Sequence, residues 1–194
     1  MKVSADLVVA SPPEWIEAVL GDFDTFLQDH ADCERKASAM AMSFVAKYPD
    51  RLEIIPLLIE TAVEELEHFQ DVYTIMEERG VTLPAGMGKD HYIQQLLDAC
   101  RSGREDRFMD RMLLASVVEC RGAERFRLIY EKLPPGELKK FYHRLWASEA
   151  KHGNIFVEML FNYFDKEAVY KRLDELIEIE GKILLNLPIR AALH

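Results

Sequence analysis

Four amphipathic stretches of this chain place carboxylates and imidazoles on faces that must be buried. Apolar residues recur at i, i+3 and i+4 through each stretch, the period of a helix with one buried side. The first stripe reads Phe23, Leu27, His30, Glu34, Ala37, Ala41, Phe44, Tyr48, and the second Leu58, Thr61, Ala62, Glu65, His68, Phe69, Val72, Met76. The third reads Phe108, Met112, Ala115, Glu119, Gly122, Phe126, Tyr130, and the fourth Leu138, Tyr142, Leu145, Glu149, His152, Phe156, Leu160. One unpaired buried carboxylate costs several kcal/mol even after relaxation. Four of them exceed the roughly 5–15 kcal/mol by which a domain is stable. Two divalent cations neutralise them and give the imidazoles a role as neutral ligands.

The spacing supports that reading. Glu34 precedes Glu65 by 31 residues and Glu119 precedes Glu149 by 30, and each second helix carries Glu-x-x-His. Residues at i and i+3 share a helix face and can grip one metal together. Glu34, Glu65 and His68 are assigned to one metal and Glu119, Glu149 and His152 to the other, with Glu65 and Glu149 bridging. A lone Glu-x-x-His is common on exposed helices and carries little weight; two in one register carry much more. A carboxylate-rich N/O donor set suits iron, with manganese as the second candidate. His30, one turn before Glu34, is either a hydrogen-bond donor to that ligand or a packed core residue. His91, His143 and His194 read as surface residues. Ala37, Ala115 and Gly122 either leave room for dioxygen and substrate or allow close helix packing. Cys33, Cys100 and Cys120 have no metal or disulfide spacing and read as reduced thiols, Cys33 and Cys120 as packing residues.

The same periodicity predicts the architecture: all-α, a ferritin-like four-helix bundle with one long crossover and additional short and C-terminal helices. Ser11-Pro12-Pro13-Glu14 resembles a capping box opening a helix that runs to about Tyr48 before Pro49. Asp50 and Glu53 can cap a second helix that ends near Gly80, with Pro56 kinking it or marking its start. A loop over 80–89 and a short helix over 90–102 form the long crossover. Further helices are expected over 104–132, from the Pro134-Pro135-Gly136 turn to about Phe164, and over 166–186 behind an Asp165 cap. Residues 1–194 are expected to form a single domain. No run of 18 apolar residues occurs, and the N-terminus, Met1-Lys2-Val3-Ser4-Ala5-Asp6, does not read as a signal peptide. With sparse cysteines this predicts a cytoplasmic protein that does not engage a membrane.

The segments AVEELEHF (62–69), VECRGAERF (118–126) and WASEAKHGNIF (146–156) resemble those of the tRNA hydroxylases called MiaE. The resemblance runs from about Trp15 to the last helix. It implies a nonheme diiron monooxygenase that hydroxylates the isopentenyl group of 2-methylthio-N6-isopentenyladenosine in tRNA. It makes Glu34, Glu65, His68, Glu119, Glu149 and His152 iron ligands that act in catalysis through the metals. O2 is the co-substrate. Electrons come from an external reductase, because the chain has no Gly-rich flavin or nicotinamide motif.

A formal charge of −10 argues against nucleic acid, but its distribution is uneven. Residues 101–151 hold 12 Lys+Arg against 8 Asp+Glu, while the remainder holds 12 against 26. Arg104, Arg107, Arg111, Arg121, Arg125, Lys139, Lys140 and Arg144 are the candidate tRNA contacts on that basic side, although ion pairs with Glu105, Asp106 and Asp110 can equally explain its first arginines. The competing reading is a ferritin-like diiron or dimanganese oxidase or peroxidase acting on a small molecule or peroxide. A metal-free structural bundle is the third.

Overall fold

Proline, glycine and aspartate punctuate the chain where its helices begin and end. The computed structural model describes residues 6–86 and 90–194. The N-terminal residues 1–5 and the end of the crossover loop, 87–89, lie outside the described residues, and with them the reading of the N-terminus as no signal peptide. All regular structure among the described residues is helical: α1 (Pro13–Gly21), α2 (Phe23–Lys47), α3 (Ile55–Arg79), α4 (His91–Asp98), α5 (Arg104–Lys132), α6 (Glu137–Leu160) and α7 (Lys166–Leu185). No helix among them is long and apolar enough to cross a membrane.

The expected first helix is broken at Gly21–Asp22. Asp22 accepts the Thr25 N–H at 3.3 Å, a side-chain cap that opens a new helix. Ser11 caps nothing; its N–H and hydroxyl donate to the Glu124 carboxylate at 2.8 and 2.6 Å. Pro56 lies in the first turn of α3, where a missing N–H costs nothing, so it marks a start and not a kink. Neither Asp50 nor Glu53 is the cap residue; Ile54 holds that place without a side-chain bond. Gly80 closes α3 with φ 70°, a left-handed conformation that glycine adopts without Cβ strain. The crossover helix, α4, is shorter than expected and is capped by Asp90, which accepts the Ile93 N–H at 3.0 Å. α6 stops at Leu160, short of Phe164, and Asp165 caps α7 as predicted.

The described residues divide into two compact units. One contains α2 and α3, packed against each other over buried Phe26, Leu27, Phe44, Leu58, Val72 and Met76. The Ser38 hydroxyl crosses that seam to the Ala62 carbonyl at 2.7 Å. The exposed face of α3 carries Ile59, Val63, Leu66 and Tyr73. The other unit contains α4 to α7. There α5 packs on α6 over Phe108, Met112, Phe126, Tyr142 and Phe156, and α4 and α7 also pack on α5.

Two buried ionic clusters hold this second unit. Arg121 grips Glu180 through Nε and Nη2 at 2.8 and 2.9 Å, and also reaches Glu124 at 2.9 Å and the Val9 carbonyl at 2.7 Å. Burial alone would lower the pKa of Arg121, but hydrogen bonding to Glu180 outweighs it and raises it. The Tyr92 hydroxyl donates to Glu180 at 3.0 Å. Burial and the adjacent carboxylate push that hydroxyl well above the usual tyrosine range. His194 is half-buried and stacks on Tyr92 with centroids 5.0 Å apart and planes at 9°, and desolvation of its ring depresses it to about 3. Its assignment as a surface residue is therefore corrected.

The second cluster surrounds Asp110. Arg101 and Arg172 both bond its carboxylate, at distances down to 2.7 and 2.8 Å, and the Arg101 N–H adds a third donor at 2.8 Å. Burial alone would raise Asp110, but these donors outweigh it and hold its pKa below the usual range. A depressed carboxylate contributes stability that is full above its unfolded value and is lost as pH falls through its folded value. Asp110→Asn is therefore expected to be less stable than the native protein at neutral pH, with the gap closing below about pH 4. Urea unfolding across pH measures this, and a gap independent of pH would refute it.

Candidate metal centre

Each helix pair brings one carboxylate from its first helix to a Glu-x-x-His on its second. In the α2–α3 unit, donor atoms of Glu34, Glu65 and His68 lie within 4.8 Å of one another. His68 Nδ1 is 3.6 Å from Glu34 Oε2 and 3.5 Å from Glu65 Oε2. Glu34 and Glu65 are buried, while the His68 side chain is 14% exposed, so His68 is where this triad meets solvent. In the α5–α6 unit, donor atoms of Glu119, Glu149 and His152 lie within the same 4.8 Å limit, and all three residues are buried. His152 Nδ1 is 3.8 Å from Glu149 Oε2. Every predicted ligand thus lies in a triad with its predicted partners.

The donor set fits the expected ion. Each triad offers two carboxylates and one imidazole, the hard and borderline donors that suit ferrous iron and manganese. His30 combines both of its expected roles: it is fully buried, and its Nε2 lies 2.7 Å from Glu34 Oε1. A ring N–H donated from Nε2 orients that carboxylate, as partners of metal ligands commonly do.

The small residues sort differently. A Cβ added at Gly122 would meet only Glu149 Cγ and Phe126, both at 4.0 Å, so that position leaves room beside Glu149. The close approach lies at Gly153, next to His152. A Cβ there would sit 2.7 Å from Cys120 Sγ, and Ser116 Oγ donates to the Gly153 carbonyl at 2.7 Å. Gly153→Ala is expected to destabilise by about 1–3 kcal/mol, an overpacking cost. Adding Cys120→Ala should recover most of it in a urea-unfolding cycle. A Gly153→Ala protein of native stability would show that the seam yields.

The basic candidates do not form one surface. Arg104, Arg107, Lys140 and Arg144 are exposed, and Arg111 and Lys139 are half-buried. Arg121 and Arg125 are buried at 0% and 5% exposure, which removes both from the candidate tRNA contacts. Arg121 is engaged by Glu180, and Arg125 lies 4.7 Å over the Trp15 ring and donates to Ser11 Oγ at 3.1 Å. Burial pulls Arg125 down to about 10, which leaves it cationic at neutral pH. Two of the acids near Arg107 and Arg111 have other partners: Arg101 pairs with Asp106 and Asp110, and Arg172 with Asp110.

Paired helices that each present a glutamate and a Glu-x-x-His define the ferritin-like class of diiron-type carboxylate proteins. The structural comparison agrees. A Synechococcus structure described as protein 43 with aldehyde deformylating oxygenase activity superposes with a TM-score of 0.89 at 31% identity, covering 95% of this chain and 92% of that one. Residues 2–194 match the family described as MiaE, tRNA-(MS[2]IO[6]A)-hydroxylase, and the chain belongs to that family. The tRNA 2-(methylsulfanyl)-N(6)-isopentenyladenosine(37) hydroxylase of Pseudomonas putida KT2440 is 36% identical over 188 residues, 96% of this chain and 90% of that protein. The like-named protein of Salmonella typhimurium LT2 is 25% identical over 134 residues, 69% of this chain and 48% of that protein.

Proposed function

We propose that this chain hydroxylates the isopentenyl side chain of 2-methylthio-N6-isopentenyladenosine in tRNA, working as a single domain in the cytoplasm. The observation that carries the reading is the pair of Glu/Glu-x-x-His triads in a chain of this family. Each triad would hold one iron ion, Glu34, Glu65 and His68 the first and Glu119, Glu149 and His152 the second. When bound, the two irons would supply dioxygen activation; with two electrons from an external reductase and two protons, one oxygen atom would enter the new C–OH group and the other would leave as water.

The chain's own residues set the conditions for that chemistry. His30 holds Glu34 Oε1 and so leaves Oε2, the oxygen nearer His68, for the metal. Burial of Glu119, Glu149 and His152 keeps bulk water from one triad, which strengthens every electrostatic contact inside it. Gly122 leaves space beside Glu149. Arg107 and Arg111, on the first turns of α5, attract tRNA phosphates, and an Arg107→Glu/Arg111→Glu protein should bind tRNA more weakly with unchanged iron content. Equal affinity across a salt titration would remove that assignment.

The decisive experiment is nucleoside analysis of tRNA from cells with and without the protein, paired with metal analysis. Loss of the hydroxylated isopentenyl nucleoside in its absence, and two iron equivalents per purified chain, are expected. An unchanged nucleoside profile would sink the proposal.

A further inference from the structure

We propose that Tyr130, His143 and Trp146 form a stacking platform for unpaired bases of the tRNA, on the surface of the α5–α6 pair. The inference rests on tRNA being the substrate and adds the place where its bases are held. Tyr130 stands in the last turn of α5, and His143 and Trp146 occupy successive turns of α6. Their ring centroids lie 5.0 Å apart for Tyr130–His143, 6.0 Å for Tyr130–Trp146 and 5.8 Å for His143–Trp146. His143 is exposed and the other two are half-buried. Three rings in mutual contact at the surface leave part of their area to solvent.

The surroundings select the occupant. Lys139 Nζ lies 4.8 Å from the Tyr130 centroid. Residues 127–151 carry Arg127, Lys132, Lys139, Lys140, Arg144 and Lys151 against Glu131, Glu137 and Glu149, a net +3 in a chain of −10. Rings set among cations match a single-stranded nucleic acid, whose bases stack while its phosphates need positive charge. The other exposed apolar face, on α3, is interleaved with Glu60, Glu64, Glu67 and Asp71 and would repel phosphate.

Position along α6 completes the argument. Trp146 precedes Glu149 by about 4.5 Å of helix rise and His143 precedes it by about 9 Å. A base stacked here therefore lies within the reach of a purine and its prenyl arm from a proposed iron ligand.

Trp146 provides its own readout. The chain has two tryptophans, and Trp15 is only 2% exposed, so emission quenched by added tRNA reports Trp146 in the native protein and in His143→Ala, while binding by the Trp146 variants is read by electrophoretic mobility shift of labelled tRNA. With iron-loaded full-length protein and tRNA carrying the isopentenyl nucleoside, Trp146→Ala is expected to weaken binding roughly 5- to 150-fold, the range for loss of one stacked base. Trp146→Phe should restore most of the affinity. The slope of affinity against salt should stay unchanged, because it counts phosphate contacts. Iron per chain should also stay unchanged. The exposed His143→Ala decides the matter if Trp146→Ala does not fold, and it should weaken binding in the same sense. Native affinity in both variants would overturn the platform while leaving the substrate assignment standing. Affinity lost only together with iron would overturn it as well, because it marks a structural role. Absence of tRNA binding by the unaltered protein would bring down both proposals.

Discussion

Glu149→Gln is expected to lower bound iron from two equivalents per chain to one or fewer, and hydroxylation by at least about a hundredfold. Changes to residues that merely support metal ligands already cost about 10- to 100-fold, and a lost ligand costs more. The amide is isosteric with the carboxylate, so packing is preserved and charge is what changes. The stability effect should reverse sign with metal. Without iron, Glu119 and Glu149 bring donor oxygens within 4.8 Å of each other in a buried site, and neutralising one relieves repulsion. With iron, the native protein gains RT ln(1 + [L]/Kd), about 2.7 kcal/mol when free iron is a hundredfold above Kd, and the variant gains less. Metal analysis and thermal melts with and without iron measure both effects. A Glu149→Gln protein that keeps two irons would remove Glu149 from the ligands.

Arg121→Met should be the most destabilising change outside the proposed metal ligands. It leaves Glu180 buried at 0% exposure without its bidentate partner. Breaking a buried pair from one side costs about 3–5 kcal/mol. For a chain of this size that corresponds to a melting temperature lower by about 6–20 °C. Glu180→Gln added to Arg121→Met should recover much of the loss, since no buried charge is then uncompensated. A shift of a degree or two in the single variant would show that water or another cation replaces Arg121.

The two triads were legible in the chain because Glu34, Glu65, Glu119 and Glu149 share core-facing register with His68 and His152, and each Glu-x-x-His follows a core-facing glutamate by about 30 residues. Helix ends were legible where one residue type decides them, as with Gly80, Asp165 and the Pro134-Pro135-Gly136 turn. The break at Gly21–Asp22 was not, because it depends on one aspartate turning to the Thr25 N–H while apolar periodicity continues on both sides. The burial of Arg121 and Arg125 was hidden for a different reason. Their partners Glu180 and Ser11 are 59 and 114 residues away, and a local count of charge cannot see them. His194 was misplaced likewise, since only the fold brings it onto Tyr92. The Tyr130–His143–Trp146 cluster left a local trace in an aromatic-rich, basic stretch, but its contacts form only when α5 and α6 pair.

The seam at Ser116, Cys120 and Gly153 also limits how this enzyme can be re-engineered. With a hydroxyl tied across it and no room for a methyl group, it is the wrong place to diversify in a library aimed at bulkier substrates. Gly122, which tolerates added volume beside the same helix, is where directed evolution should begin.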